Sequence, residues 1–152
     1  MSGKNKILIV DDDMITRNIA KLIFKDNFEV LEAGNGLSAL SLLEQHRQDL
    51  VFISCDISMP VMDGFTFLRE KNKSVYNNGI PVIIITSVGD DRVRQQAISL
   101  GAADFVDKKK RPRESLRSGQ RTARDTGMNR STTQIRSIKR GCLTVPSAFQ
   151  VM

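Results

Sequence analysis

Short apolar runs alternate along the chain with segments whose apolar residues recur every three or four positions. The apolar runs are KILIV, FEVLEA, LVFIS, PVIII and ADFV, at residues 6–10, 28–33, 50–54, 81–85 and 103–106. The segments between them lie at residues 14–27, 37–46, 64–72 and 90–101. Runs of this length predict β-strands, and spacing of three to four predicts α-helices.

Three of the five predicted strands are apolar on both faces. The runs at residues 7–10, 51–54 and 82–85 do not alternate between apolar and polar positions. Strands that read this way are covered by helices on both sides of a sheet. Five β/α alternations ending near residue 108 therefore predict an α/β fold with a doubly wound, open parallel sheet.

The pattern stops after Lys108, and the charge changes at the same place. Residues 1–108 hold 12 Lys/Arg against 15 Asp/Glu, whereas residues 109–152 hold 11 against 2. This asymmetry indicates two physically different regions. We expect one domain over residues 4–124, with a poorly encoded last helix near residues 112–124, and a basic, disordered tail over residues 125–152.

Composition excludes several classes of protein. The chain of 152 residues is long enough for one domain with a real core, and no stretch approaches the roughly 18 apolar residues that span a bilayer. The first residues run straight into acids, without a secretory apolar region. A single histidine, His46, argues against a Ser/His/Asp triad or a His-rich zinc site. We expect a cytoplasmic protein with no membrane association.

Polar residues follow four of the five predicted strands. Asp11 and Asp12 follow the first strand, Asp56 the third, Thr86 ends the fourth and Lys108 follows the fifth. Sites in open α/β sheets form at the carboxyl ends of strands, so these side chains are expected to converge at one edge. A single acid after a strand is usually a helix cap, but caps do not explain the whole set.

This set of side chains suits phosphoryl transfer. Clustered carboxylates repel one another and are kept where a hard cation such as Mg²⁺ or Mn²⁺ compensates them. A lysine and a hydroxyl can both bind an anionic oxygen. With Asp56 as the nucleophile, the product would be an aspartyl-phosphate.

Three nearby residues have simpler structural interpretations. Asp13 is expected to cap the first helix. Cys55 is expected to be a small buried residue at a strand end. His46, among polar neighbours on a predicted surface helix, is expected to be solvated.

Four segments, in their order and separations, resemble the receiver domain of bacterial two-component response regulators. They are ILIVDDD (7–13), DISMPVMDGF (56–65), PVIIITS (81–87) and GAADFVDK (101–108). The resemblance implies a flavodoxin-like fold with a five-stranded parallel sheet in the order 2-1-3-4-5. The roles that it implies are phosphoacceptor for Asp56; Mg²⁺ ligands for Asp11, Asp12, Asp56 and the backbone carbonyl of Ser58; and phosphoryl contact or switching for Thr86, Lys108 and Phe105.

The chain departs from the resemblance after Lys108. The family usually has proline and then an aromatic or apolar residue at the positions of Lys109 and Lys110. The last helix is therefore expected to be atypical or missing. The implied partners are a sensor histidine kinase or phosphotransfer protein and a downstream protein target, and the chain is expected to be a phosphoacceptor rather than an enzyme.

Three other interpretations stay open. A DNA-binding regulator could use the basic tail, although the tail has no recognisable nucleic-acid-binding pattern, so nucleic acid is the weaker partner. The chain could be a truncated or frame-shifted fragment of a longer response regulator, since KKKR at residues 108–111 would be encoded by an A-rich stretch. A phosphohydrolase of the haloacid-dehalogenase type would need a second acid where this chain has Ser58.

Overall fold

Strands and helices alternate through residues 5–77 and 79–109, which are the residues that the computed structural model describes. In chain order the elements are β1 (Lys6–Val10), α1 (Met14–Phe24), β2 (Glu29–Ala33), α2 (Gly36–His46), β3 (Leu50–Cys55), α3 (Gly64–Asn72), β4 (Val82–Thr86), α4 (Asp91–Ser99) and β5 (Asp104–Asp107). The five strands and four helices predicted up to residue 108 are confirmed, and their ends shift by at most three residues.

The five strands form one parallel sheet in the order β2-β1-β3-β4-β5. This order confirms the predicted fold class and topology. The chain adds β2 on one side of β1 and the later strands on the other side, so the direction changes between β1 and β3. These two strands are direct neighbours, with Val10 paired to Cys55. The carboxyl ends of β1, β3, β4 and β5 therefore share one edge, which is where ligands bind in open α/β sheets.

The sheet has a buried core on each face. Along β1, Leu8 and Val10 contribute to one core, and Ile7 and Ile9 contribute to the other. The first core includes residues of α2, α3 and α4, and the second includes residues of α1. Burial of alternate residues on opposite faces explains why the strand is apolar throughout.

Of its isoleucines and leucine, helix α1 packs only Ile23, which is partly buried, against the second core, and it leaves the three others exposed. Ile15, Ile19 and Leu22 are 67%, 42% and 65% exposed, whereas Ala20 and Phe24 are buried against the sheet. The Phe24 ring packs edge-on against an aromatic ring from the residue just before β2 and one from β3. The periodicity therefore identifies the helix correctly, but the aromatic cluster decides which side faces the sheet.

Capping groups define the helix ends. Asp13 accepts hydrogen bonds from the backbone N–H groups of Ile15 and Thr16, which confirms its predicted role. After α4, Gly101 has φ of +95°, a conformation that favours glycine, and its N–H donates to the carbonyl of Ile98. The glycine therefore lets the chain turn away just after the helix ends at Ser99.

Two residues with simple expected roles have different outcomes. Cys55 is fully buried, as predicted. His46 is half-buried rather than fully solvated, and its Nδ1 lies 3.2 Å from the Nζ of Lys6.

The predicted last helix near residues 112–124, the domain end at residue 124 and the tail over residues 125–152 lie outside the described residues. Across residues 5–77 and 79–109, no helix is long and apolar enough to cross a membrane.

Candidate functional site

Three carboxylates meet at the carboxyl edge of the sheet. Asp11, Asp12 and Asp56 each place one carboxylate oxygen within 4.8 Å of the others. The cause is the pairing of β1 with β3, where the N–H of Asp56 donates to the carbonyl of Val10 at 2.8 Å. The acids that follow these two paired strands therefore lie side by side, and the predicted convergence of the three carboxylates is confirmed.

Two of these carboxylates are buried beside a lysine. Asp11 and Asp56 are 4% and 9% exposed, whereas Asp12 is exposed. The Nζ of Lys108 donates to Oδ2 of Asp11 at 2.8 Å and lies 3.9 Å from Oδ2 of Asp56. The backbone N–H of Lys108 also donates to the carbonyl of Thr86, which holds the backbone of Lys108 against the end of β4.

The carboxylate set fits a divalent cation. Burial raises the pKa of Asp56, the Lys108 ammonium opposes this, and the Asp11 charge raises the pKa further. A second positive charge would relieve that repulsion. Oxygens around a six-coordinate Mg²⁺ with bonds of about 2.1 Å lie about 3–4 Å apart, and the three carboxylate oxygens here lie within 4.8 Å of one another.

The two oxygens of Asp56 have different surroundings. Oδ1 accepts a hydrogen bond from the backbone N–H of Ile57 at 2.8 Å, while Oδ2 faces Lys108. Thr86, fully buried at the end of β4, helps to stabilise the ionised form of Asp56. Its Oγ1 also accepts from the N–H of Val88 at 3.2 Å, so the hydroxyl links Asp56 to the loop after β4.

The loop after Asp56 is held tightly against its own backbone. The N–H of Gly64 donates to the carbonyl of Ile57, and a Cβ on Gly64 would overlap the carbonyl oxygen of Asp56. Only glycine permits this approach. Val61 has φ of 67°, a strained value for a β-branched residue, within a turn closed by the N–H of Met62 and the carbonyl of Pro60.

The remaining predicted site residues lie around the carboxylates. Phe105 on β5 is 8% exposed, and its Cζ lies 3.0 Å from the place that a Cβ on Gly89 would occupy. The ring is therefore packed inward, under the loop after β4. Ser58 is exposed, two residues after Asp56. Metal ligation by its carbonyl stays a prediction.

Sequence reasoning missed one residue that touches the site. The Nη1 of Arg17 on α1 donates to the backbone carbonyl of Asp11 at 2.7 Å. Its Nε also lies 3.6 Å from Oε1 of Glu32 on β2. The signal was weak, because a basic residue on a predicted helix normally belongs to its solvated face.

Comparison with known proteins shows which protein family the chain belongs to. The response regulator receiver domain matches residues 7–118. The chain belongs to this family. Its function is accordingly that of a receiver in phosphorylation-activated two-component signalling.

Relatives of this receiver include proteins of different lengths. The chain is 40% identical over 111 residues to the cyclic di-GMP phosphodiesterase response regulator RpfG of Xanthomonas campestris, covering 71% of this chain and 29% of the relative. It is 39% identical over 98 residues to sporulation initiation phosphotransferase F of Bacillus subtilis, covering 64% and 76%. The chain spans 29% to 59% of the length of the first three curated relatives.

A solved receiver has the same fold. The CheY in the CheX–CheY–BeF3–Mg²⁺ complex from Borrelia burgdorferi matches with a TM-score of 0.63 and 27% identity, covering 78% of this chain and 88% of that one.

Proposed function

We propose that this receiver stores a signal as a phosphoryl group on Asp56 and passes it on through protein contacts. The phosphoryl group would come from a histidine kinase or a phosphotransfer protein. The observation that carries the proposal is the juxtaposition of three carboxylate oxygens within 4.8 Å with the Lys108 ammonium, at the carboxyl edge of the sheet. The burial and spacing suit a charged, reactive carboxylate better than a helix cap.

In the proposed reaction, Oδ2 of Asp56 attacks the phosphorus of a phosphohistidine. The new P–O bond forms as the P–N bond breaks, and the electron pair of that bond returns to the imidazole nitrogen. Oδ1 is held by the N–H of Ile57, which orients the carboxylate with Oδ2 toward Lys108. Attack requires the ionised carboxylate, which the Lys108 ammonium favours.

We assign Mg²⁺, or Mn²⁺, to Asp11, Asp12, Asp56 and the carbonyl of Ser58. When bound, the ion would neutralise negative charge on the phosphoryl oxygens. The Borrelia complex, which contains Mg²⁺ and BeF3, supports this assignment. Lys108 now pairs with Asp11, and a short swing of its ammonium toward Asp56 would bring it to a phosphoryl oxygen.

Thr86 and Phe105 would carry the signal away from Asp56. A phosphoryl oxygen would accept a hydrogen bond from the Thr86 hydroxyl, whose oxygen already accepts from the N–H of Val88, so a movement of Thr86 toward the phosphoryl group would pull on the loop after β4. Gly89 in that loop packs against the Phe105 ring, so the loop and the ring must move together. The surface near β5 would thereby change on phosphorylation.

The direct test is phosphorylation by acetyl phosphate with and without Mg²⁺, followed by mass spectrometry of the whole chain. Wild type should gain about 80 Da for each phosphoryl group. Asp56→Asn should gain nothing, and Asp26→Asn, an exposed acid on the loop after α1, should behave as wild type. Chelation of Mg²⁺ should abolish the gain. An unchanged adduct on Asp56→Asn would contradict the assignment.

A donor protein tests the partner. A phosphorylated histidine phosphotransfer domain should lose its phosphoryl group to wild type and keep it with Asp56→Asn. Since histidine kinases draw on ATP, we place the protein in the cytoplasm, and cell fractionation should recover it there. Recovery in another fraction would contradict that placement.

A further inference from the structure

Arg17 connects helix α1 to the loop that carries two of the three acids. Its Nη1 donates to the carbonyl of Asp11 at 2.7 Å, and its Nε faces Glu32 of β2. The side chain is 19% exposed, so most of it is packed rather than solvated. A hydrogen bond of this length from a guanidinium is charge-assisted and directional.

The carbonyl that Arg17 holds belongs to the peptide that joins Asp11 to Asp12. The pairing of β1 with β2 ends at Val10, so this peptide lies beyond the last paired residue of the strand. A peptide unit is planar, and fixing its carbonyl therefore fixes the Cα of the next residue. Arg17 thus restrains the backbone from which the exposed side chain of Asp12 extends.

Glu32 restrains Arg17 in turn, and Lys21 shares the same carboxylate. The Nζ of Lys21 lies 3.2 Å from Oε2 of Glu32, on the oxygen that Arg17 does not use. Lys21 carries the same charge on the same helix, and its described contact is with Glu32 rather than the acidic loop. The chain therefore offers a matched control for Arg17.

We propose that Arg17 is a positioning residue for divalent-cation binding, acting through the Asp11–Asp12 peptide to hold Asp12 where its carboxylate reaches the ion. This proposal rests on the proposed function, because it takes Asp12 as a cation ligand. The direction in which cation affinity changes when Arg17 is removed distinguishes positioning from a simple charge effect. Removing a positive charge near an acidic site strengthens cation binding by Coulomb attraction alone, whereas losing the restraint on Asp12 weakens it.

The test is calorimetric titration of Mg²⁺ into the full chain without a phosphodonor, for wild type, Arg17→Met and Lys21→Met. Arg17→Met should bind Mg²⁺ about tenfold more weakly, as expected for loss of a group that orients a ligand. Lys21→Met should stay close to wild type. Circular dichroism establishes that each variant is folded at the titration temperature.

The outcomes separate this proposal from the proposed function. Wild type that binds no Mg²⁺ contradicts both. Wild type that binds, with Arg17→Met equal or tighter, overturns the role of Arg17 and leaves the acidic site intact. Equal weakening in Lys21→Met would also overturn it, since charge around Glu32 would then be the cause.

A conservative variant covers the case in which Arg17→Met does not fold. Arg17→Lys keeps the charge and one donor but cannot contact the Asp11 carbonyl and Glu32 with a rigid fork. It should bind Mg²⁺ with an affinity between wild type and the weakened variant. Wild-type affinity in Arg17→Lys, with Arg17→Met unfolded, would overturn the positioning role.

Discussion

The two edges of the sheet carry the same kinds of charged residue in opposite settings. At the carboxyl edge, Asp11 and Asp56 are buried, with Lys108 beside them. At the amino edge, Lys6 lies 3.8 Å from Glu29 and 3.6 Å from Asp49, whose side chains are 52% and 59% exposed. The two lysines are similarly covered, at 18% and 17% exposure, so the difference lies in the acids, which are buried close together at one edge and largely exposed at the other.

The difference shows what distinguishes a site from a charged surface. Ion pairs to exposed acids contribute little to stability because water already solvates those carboxylates. Buried carboxylates close together repel and lose hydration, so such a cluster costs free energy unless a cation compensates it. The carboxyl edge is therefore the place where stability is given up for binding, and the amino edge is not.

Among these predictions, the largest difference in unfolding free energy is expected between alanine substitutions of glycines at the two edges. Gly64→Ala forces a Cβ into the Asp56 carbonyl, and we expect a loss of about 2–3 kcal/mol in unfolding free energy. Gly79→Ala, before β4 at the amino edge, meets nothing within 4 Å and should change stability by at most about 0.5 kcal/mol. Urea unfolding of both variants measures this. Equal losses would mean that the Asp56 loop is not tightly held.

Mg²⁺ should stabilise the protein through the carboxyl edge. At ten times its dissociation constant, a ligand that binds the folded state adds about 1.4 kcal/mol. Asp12→Ala should lose most of this gain, because it removes a ligand, while Glu29→Gln at the amino edge should keep it. Thermal unfolding with and without Mg²⁺ measures the shift. A shift that survives in Asp12→Ala would exclude Asp12 as a ligand.

Neutralising Asp56 should stabilise the metal-free protein. Its pKa is raised in the fold, so the folded state binds more protons and stability falls as pH rises from the ordinary Asp pKa through the raised one. Asp56→Asn should therefore gain about 1 kcal/mol at neutral pH, on the scale of a buried group with incomplete partners. The gain should vanish below a pH of about 3.9. Unfolding across pH, with Asp26→Asn as the control, checks this. A stability loss at neutral pH would contradict it.

The smallest change in unfolding free energy is expected for an acid at the amino edge, and it is a loss rather than the gain expected for Asp56→Asn. Asp49→Asn removes an exposed partner of Lys6 and should cost at most about 0.5 kcal/mol. Because salt screens exposed charges, the loss should shrink at high ionic strength. Denaturant unfolding at low and high salt measures it. A salt-independent loss would mean that Asp49 has a packing role.

Local pattern was sufficient for the elements, the open parallel sheet and the convergence of Asp11, Asp12 and Asp56, whereas the strand order followed from the family resemblance. Strands buried on both faces must be apolar throughout, so the parallel sheet can be predicted from short runs. The carboxyl ends of parallel strands share an edge, so residues that follow those strands can be predicted to meet. Both inferences depend on neighbours in sequence or on the general geometry of the fold.

Contacts between distant residues depended on the tertiary structure. Lys108 was predicted to lie at the site, but only the structure pairs it most closely with Asp11, 97 residues away. The reach of Arg17 to the Asp11 carbonyl, and the packing of Phe24 rather than Ile19 against the sheet, were likewise not predictable. Hydrophobic periodicity indicates that a segment forms a helix with one buried side. Which residues contact one another depends on how whole elements rotate and pack. The sequence thus determined the sheet and the acids at its edge, and the packing of α1 and β5 decided which charges those acids meet.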